Sequence, residues 1–287
     1  MVSFFYAIIG GRRKKMHIPV FSIICMAVSA LLSIGLPVAL FVIIRKKYGA
    51  KFLPMIVGTA SFCISVLVLE ALVHRFVFGY TAIRDFPFLF IIYGIFMAGI
   101  FEETARFACF HIIKKKFQGI ETGLSYGIGH GGIEAILLAG LSMINAIIVA
   151  IIINTGNVES ITSGLEGIQL ETTTELIKTL VTTAPLLFLV SGAERVMAIC
   201  VQLCLSVIVY YSVFKKGCLR LFPIAILLHA LVDVSAAAYQ AGVLQSLLLV
   251  EGIVFITAAA LVFLTVKVHL VCSKAEDKYG TKELTVE

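Results

Sequence analysis

The chain has 287 residues, of which 60% are hydrophobic and 14% charged, with a formal net charge of +6. A soluble globular domain cannot cover that much apolar surface with polar side chains, so the composition excludes an ordinary soluble enzyme. Long apolar runs bounded by charged clusters recur along the chain and are typical of a multi-pass helical membrane protein. The Lys and Arg residues gather at the ends of these runs, which favours the lipid bilayer over nucleic acid as their partner.

Seven apolar runs are long enough to cross a bilayer as helices. In chain order they cover 18–44, 53–73, 87–113, 120–154, 184–214, 221–241 and 243–271. We therefore expect an all-α fold, a polytopic transmembrane helix bundle with about seven spans. Residues 1–287 are expected to form a single integral membrane domain whose helical bundle core covers 16–272. The sequence does not determine the oligomeric state.

The segments between the runs differ in charge, and this difference predicts their orientation. Three of them, within 45–51, 114–116 and 215–220, are rich in Lys and Arg, whereas 155–183 carries four Glu and one Lys. Because cytoplasmic loops carry an excess of positive charge, the three basic segments are predicted to be cytoplasmic. The same rule makes 273–287 a cytoplasmic tail and 155–183 an extracytoplasmic loop.

The N-terminal cluster at 12–15 conflicts with this topology, because it is basic and precedes a run that should start outside. Translation from Met16 would remove the conflict, and we favour that interpretation. The alternatives are that 1–15 form an interfacial arm or that the first span is inverted.

Three clusters of ionisable residues lie inside the runs, where such side chains cost roughly 2.5–3.5 kcal/mol to insert. Each cluster contains an i,i+4 pair, so its members share a helix face. At about 1.5 Å per residue, the three clusters lie about 14–18 Å from the charged end of their runs. This common depth predicts one polar site, although single pairs could also join helices through hydrogen bonds. The clusters are Glu102, Glu103 and Arg106; His130 and Glu134; and His229 and Asp233.

Other polar features of these runs have simpler interpretations. Glu70, Glu194 and Arg195 lie nearer the outer ends of their runs, which favours interfacial or structural roles. The glycines around His130 allow close approach of helix backbones and leave room for a substrate. They also match G-x-G-x-x-G and G-x-S-x-G patterns, but without the strand–turn–helix context that either motif needs.

The order of the three clusters resembles a known family. E-E-x-x-R at 102–106, G-H-G-G-x-E at 129–134 and H-x-x-x-D at 229–233 resemble the YhfC family of intramembrane metalloproteases. That family lies within the wider group of type II CAAX prenyl endopeptidases and bacteriocin-processing enzymes, with PrsW-like proteins as relatives. The resemblance covers nearly all of the chain from Met16. It implies a peptidase of the cell membrane that acts on a membrane-embedded or lipidated peptide.

The resemblance also implies roles for individual residues. One glutamate, Glu102 or Glu103, would be the general base that activates water, and Arg106 would orient it. Adjacent helical residues are splayed by about 100°, so we expect only one glutamate to face both histidines, and the resemblance favours Glu102. The full set of implied catalytic residues is Glu102, Glu103, Arg106, His130, Glu134, His229 and Asp233.

Two chemistries remain open at this stage. In one, the His and Asp side chains stabilise the oxyanion while a glutamate deprotonates water. In the other, which the family description favours, zinc is the cofactor and activates the water. In relatives a further histidine often follows an E-R pair, and Gln202 lies in the corresponding region of this chain. The expected zinc ligands are His130, His229, Glu134 and Asp233.

Two further classes of function fit intramembrane Glu, His and Asp residues. A proton-coupled or solute transporter uses such residues as relays, although the odd number of spans and the lack of an evident inverted repeat disfavour it. A non-catalytic membrane scaffold would keep the polar layer for partner binding, although one carboxylate would suffice for that purpose.

Overall fold

The computed structural model describes residues 16–280, and the side chains of 16–273. The alternatives for 1–15 fall outside this range, as does the end of the predicted tail. Every regular element in the described chain is helical, which confirms the all-α prediction. The α-helices are α1 Val20–Tyr48, α2 Phe52–Ile64, α3 Ala71–Tyr80, α4 Pro87–Ile113, α5 Ile120–Ala135, α6 Leu141–Asn154, α7 Glu159–Thr162, α8 Gly167–Thr182, α9 Leu187–Phe214, α10 Leu221–Gln240 and α11 Leu247–Gly280.

Within the described residues, seven helices are long and apolar enough to cross a membrane. The third and fourth coincide with the predicted runs, and the second extends from Phe52 to Tyr80 rather than to residue 73. Mean hydropathy falls toward that end of the second span, where His74 and Arg75 interrupt the run. Most residues there are weak helix formers, and the helix continues because it packs on the third span, where His74 hydrogen-bonds Tyr93 and the Phe78 ring stacks on Phe90.

The predicted loop 155–183 contains two helices, α7 and α8, which the sequence reasoning missed. Ile177 and Leu180 are buried on one face of α8, three residues apart as on one helix stripe. The polar composition of 155–183, with its four Glu residues, is the reason that a loop was predicted there. The amphipathic spacing was the signal that could have identified the helix.

The second and fourth spans are each interrupted by π-helical turns, at Ser65–Glu70 and Ile136–Gly140. A π turn adds a residue to the helical repeat and therefore rotates the following side chains relative to the preceding ones. Such turns occur often at functional sites. Here one ends at the buried Glu70, and the other begins two residues after Glu134.

The chain divides into two compact units. In the described chain the first comprises 16–33 and Ile136–Ala193. Within its described part, apolar side chains from α1, α6, α8 and α9 form one core that includes Met26, Ala150 and Phe188. Ser29 donates a hydrogen bond of 2.6 Å to the carbonyl of Phe188, which ties α1 to α9 inside this unit.

In the described chain the second unit comprises Ile34–Ala135 and 194–280 and contains all three ionisable clusters. Its core includes Phe110, Tyr126 and Leu205 and runs through α4, α5 and α9. Helices α2 and α5 touch at backbone distance. A Cβ at Gly129 would lie 1.9 Å from the carbonyl oxygen of Met55, and one at Gly58 would lie 2.2 Å from that of Tyr126. The predicted use of glycine for close helix approach is thus confirmed here.

Candidate functional site

Helix α4 places two adjacent glutamates in the interior of the second unit. Glu103 and Arg106 are fully buried, and Glu102 nearly so. Arg106 Nη1 donates to both carboxylate oxygens of Glu103, at 2.8 Å each. Because Arg is always charged, this ion pair gives the buried Glu103 carboxylate a counter-charge in a place that water does not reach.

His229 on α10 joins the Glu103 carboxylate. Its Nδ1 lies 2.7 Å from Glu103 Oε1, and since an ionised carboxylate only accepts, Nδ1 carries the proton and donates. The other ring nitrogen, Nε2, lies 3.5 Å from Asp233 Oδ2 and 4.0 Å from Glu102 Oε1. Arg106, Glu103 and His229 therefore form a chain that fixes the ring and turns Nε2 toward Glu102 and Asp233.

His130 on α5 contacts the other glutamate. Its Nε2 lies 2.8 Å from Glu102 Oε2, while its Nδ1 has no partner among the described residues and is buried. A protonated Nδ1 would lose a hydrogen bond in that apolar place. His130 is therefore the Nε2–H tautomer, which donates to Glu102.

Glu102 is the glutamate that faces both histidines, as expected: its carboxylate lies 2.8 Å from His130 Nε2 and 4.0 Å from His229 Nε2. Glu103 was not expected to contact a histidine, but it binds His229 through the other ring nitrogen. The roughly 100° between adjacent helical residues places the two carboxylates in different surroundings.

A cavity of about 140 Å³ lies beside this cluster. Glu102 and His229 form part of its wall, whereas Glu103, Arg106 and His130 lie behind them. The cavity is lined by Glu102, Glu134, Glu194, Arg195, Ala198, Val201, Gln202, His229, Val232, Asp233, Ala236 and Val254.

Gln202 on α9 connects the parts of the site. Its Nε2 donates to Glu102 Oε2 at 2.9 Å and to Glu134 Oε2 at 3.1 Å, and its Oε1 accepts from Arg106. One amide thus satisfies three charged groups on two other helices. The sequence reasoning considered Gln202 only as a replacement for a histidine and missed this role.

Glu134 has a different neighbourhood from the one predicted. Arg195 Nη1 donates to its Oε1 at 2.9 Å and also binds Glu194, so the pair expected at an outer helix end lines the cavity. Arg195 and Gln202 are seven residues apart on α9 and share a face. That spacing was the signal available in the sequence.

The residues do not assemble the predicted zinc site. Glu134 is bound by Arg195 and Gln202, and His130 Nε2 is committed to Glu102. In the described residues no group of three or more His, Cys, Asp or Glu is arranged to hold a metal ion. The donor types around the cavity are those that zinc takes, but their arrangement here does not fit the ion.

Buried carboxylates and imidazoles beside a polar cavity, in a chain with seven apolar spans, define a multi-pass membrane protein with an intramembrane polar site. The chain belongs to the YhfC intramembrane metalloprotease family, whose model matches residues 28–254. It is 35% identical over 250 residues to the uncharacterized membrane protein YhfC of Bacillus subtilis (strain 168). That similarity covers 86% of this chain and 96% of the relative. No solved structure matches the chain.

Proposed function

We propose that this protein is an intramembrane peptidase that hydrolyses a peptide bond of a membrane-embedded or lipidated peptide. One observation carries the proposal: Glu102 faces the cavity with one oxygen held by His130 and Gln202, while its other oxygen lies 4.0 Å from His229 Nε2. Two polar atoms at that separation are suited to share one water molecule. The family's description as a metalloprotease supports the same class of reaction.

In the proposed reaction Glu102 acts as general base. Its Oε1 takes a proton from water as the water oxygen bonds to the scissile carbonyl carbon. The protonated carboxyl group then passes that proton to the leaving nitrogen as the C–N bond breaks. The two hydrogen bonds to Oε2 hold the carboxylate in place, so that little reorganisation is needed at the moment of reaction.

His229 would stabilise the oxyanion that forms on the carbonyl oxygen. Because Nδ1–H is fixed on Glu103, a donor at Nε2 requires the imidazolium form of His229, which the carboxylates of Glu103 and Asp233 beside the ring favour. Oriented donors in a water-poor site are worth more than in water. Glu103 and Arg106 thereby act as positioning residues.

No step above is assigned to zinc. Glu102, His229 and Asp233 face the cavity and carry the donor types that zinc takes. As arranged they are not grouped around an ion, so the steps above use the protein's own carboxylate and imidazole groups.

The direct test is cleavage of labelled transmembrane peptides by the purified full chain in lipid vesicles, read by mass spectrometry. We expect products with wild type and none above background with Glu102→Gln of equal thermal stability. Equal product formation by the two proteins would refute the peptidase. Substrate uptake without cleavage would instead identify the transporter.

A further inference from the structure

A second chain of polar side chains lies in the second and third spans, outside the cluster around Glu102. His74 Nε2 lies 3.2 Å from Glu70 Oε1, and His74 Nδ1 lies 2.7 Å from the hydroxyl of Tyr93. One imidazole therefore links a carboxylate on the second span to a phenol on the third. Neither the family resemblance nor the proposed reaction uses these three residues.

Glu70 is buried, with 6% of its surface exposed, and only half of its carboxylate is satisfied. Its Oε2 is buried and has no hydrogen-bond partner among the described residues. A buried carboxylate oxygen needs a proton or a water molecule, because leaving it bare costs free energy. The π-helical turn that ends at Glu70 packs against α4, the helix that carries Glu102 on the cavity wall.

The three residues lead away from the cavity in a definite direction. His74 follows Glu70 by one helical turn, and its side chain is 32% exposed. Tyr93 lies about 14 Å from Glu102 along α4, toward the end that begins at Pro87. The polar groups therefore run from the cavity toward the short connection 81–86.

We propose that Glu70, His74 and Tyr93 form a hydrated proton relay between the cavity and the membrane face that carries residues 81–86. Hydrocarbon holds no water for a buried reaction, so a site within the spans needs a polar route to the aqueous phase. A proton accepted at one nitrogen of His74 leaves from the other, and Glu70 and the Tyr93 hydroxyl exchange it with water on either side. Chains of Glu and His serve this purpose in membrane proteins. The role of the relay in peptide hydrolysis rests on the proposed function, but the existence of the hydrated route does not.

Cysteine accessibility tests the route without any assay of cleavage. In a full-length chain whose seven native cysteines are replaced, single cysteines are placed at Glu70, His74 and Tyr93. Matched controls are Leu69 and Leu72 on the same span, which are exposed apolar side chains. Each variant in lipid vesicles is treated with a charged, water-soluble methanethiosulfonate from one face at a time.

We expect the relay positions to react at least about tenfold faster than the two leucine positions, because hydrocarbon admits charged groups poorly. The faster reaction should come from the face that carries residues 81–86. Rates at His74→Cys and Tyr93→Cys equal to those of the controls would overturn the proposal, even if Glu70→Cys fails to fold. A reactive route in a protein that cleaves no peptide would uphold the relay and refute the peptidase.

Proton transfer itself has a second readout. In an active preparation, Glu70→Gln and Tyr93→Phe should enlarge the ratio of cleavage rates in H₂O and D₂O, since water alone must then carry the proton. Tyr80→Phe, at the exposed end of the second span, is the matched control and should keep the wild-type ratio. An unchanged ratio in both relay variants would refute proton transfer through these residues.

Discussion

His229 donates a hydrogen bond of 2.7 Å to Glu103, although the two residues are 126 positions apart in the chain. Because of this contact, the two adjacent glutamates have different surroundings. Glu103 is enclosed by Arg106 and His229, whereas Glu102 remains on the cavity wall. The difference makes the two glutamates separable by experiment.

Replacement by glutamine should mainly lower activity at Glu102 and mainly lower stability at Glu103. Glu102→Gln cannot take a proton from water, so we expect turnover to fall by about 10²–10⁴-fold with the fold retained. Glu103→Gln leaves Arg106 without its carboxylate in a buried place, so we expect a loss of stability on the order of 3 kcal/mol or more. Peptide cleavage and thermal unfolding, measured on both variants, check this. Similar stability and similar activity in the two variants would show that the assignment is wrong.

Gln202 is expected to position Glu102 rather than to react. Gln202→Leu keeps the bulk but removes both hydrogen bonds to the carboxylates, so Glu102 loses one of its two anchors. A misplacement of about 1 Å can cost about 10²-fold in rate, so we expect kcat to fall by about 10–100-fold with KM little changed. Steady-state kinetics on a soluble fluorogenic peptide would show this. Leu203→Met, one position along α9, serves as the control, and a change confined to KM would contradict a positioning role.

The close contact of α2 and α5 should not tolerate a side chain at Gly129. A Cβ there would lie 1.9 Å from the carbonyl oxygen of Met55, so the helices must separate. We expect Gly129→Ala to destabilise the protein by about 1–3 kcal/mol and to displace His130. Gly79→Ala, where nothing lies within 4 Å, should be neutral. Unfolding of both variants in detergent is the measurement, and equal midpoints would contradict the packing argument.

Metal removal tests the chemistry of the cavity. Because Glu134 is bound by Arg195 and His130 by Glu102, we expect activity to survive chelation and dialysis. Metal content by mass spectrometry and cleavage rate are measured on the same sample. Loss of activity on chelation, with recovery on adding zinc, would show that the cavity side chains regroup around an ion.

The orientation in the membrane follows from charge and can be tested in intact cells. Because the segment at 114–116 is basic, a cysteine replacing Lys115 should be shielded from an impermeant thiol reagent. One replacing Glu171, in the acidic segment, should react. The reverse pattern would invert the topology and remove the conflict raised by the basic cluster at 12–15.

The sequence alone determined the class of protein, the number of spans and the three ionisable clusters. Hydrophobicity is a property of the local chain, and the insertion cost of charge makes each buried Glu or His conspicuous in it. The i,i+4 spacing similarly predicted which residues share a face. The second span was predicted too short and α8 was missed. In both segments polar residues interrupt the apolar pattern, while packing against neighbouring helices stabilises the helix.

Only the tertiary structure decided which partner each ionisable residue has. Glu102 hydrogen-bonds His130 on α5 and Glu103 hydrogen-bonds His229 on α10, and no local pattern encodes that choice. Gln202 and Arg195 likewise lie in the site because of how the helices pack. The penalty for an unpaired buried charge acts through space, between helices that are far apart in the sequence. It therefore selects pairs that the sequence order does not show.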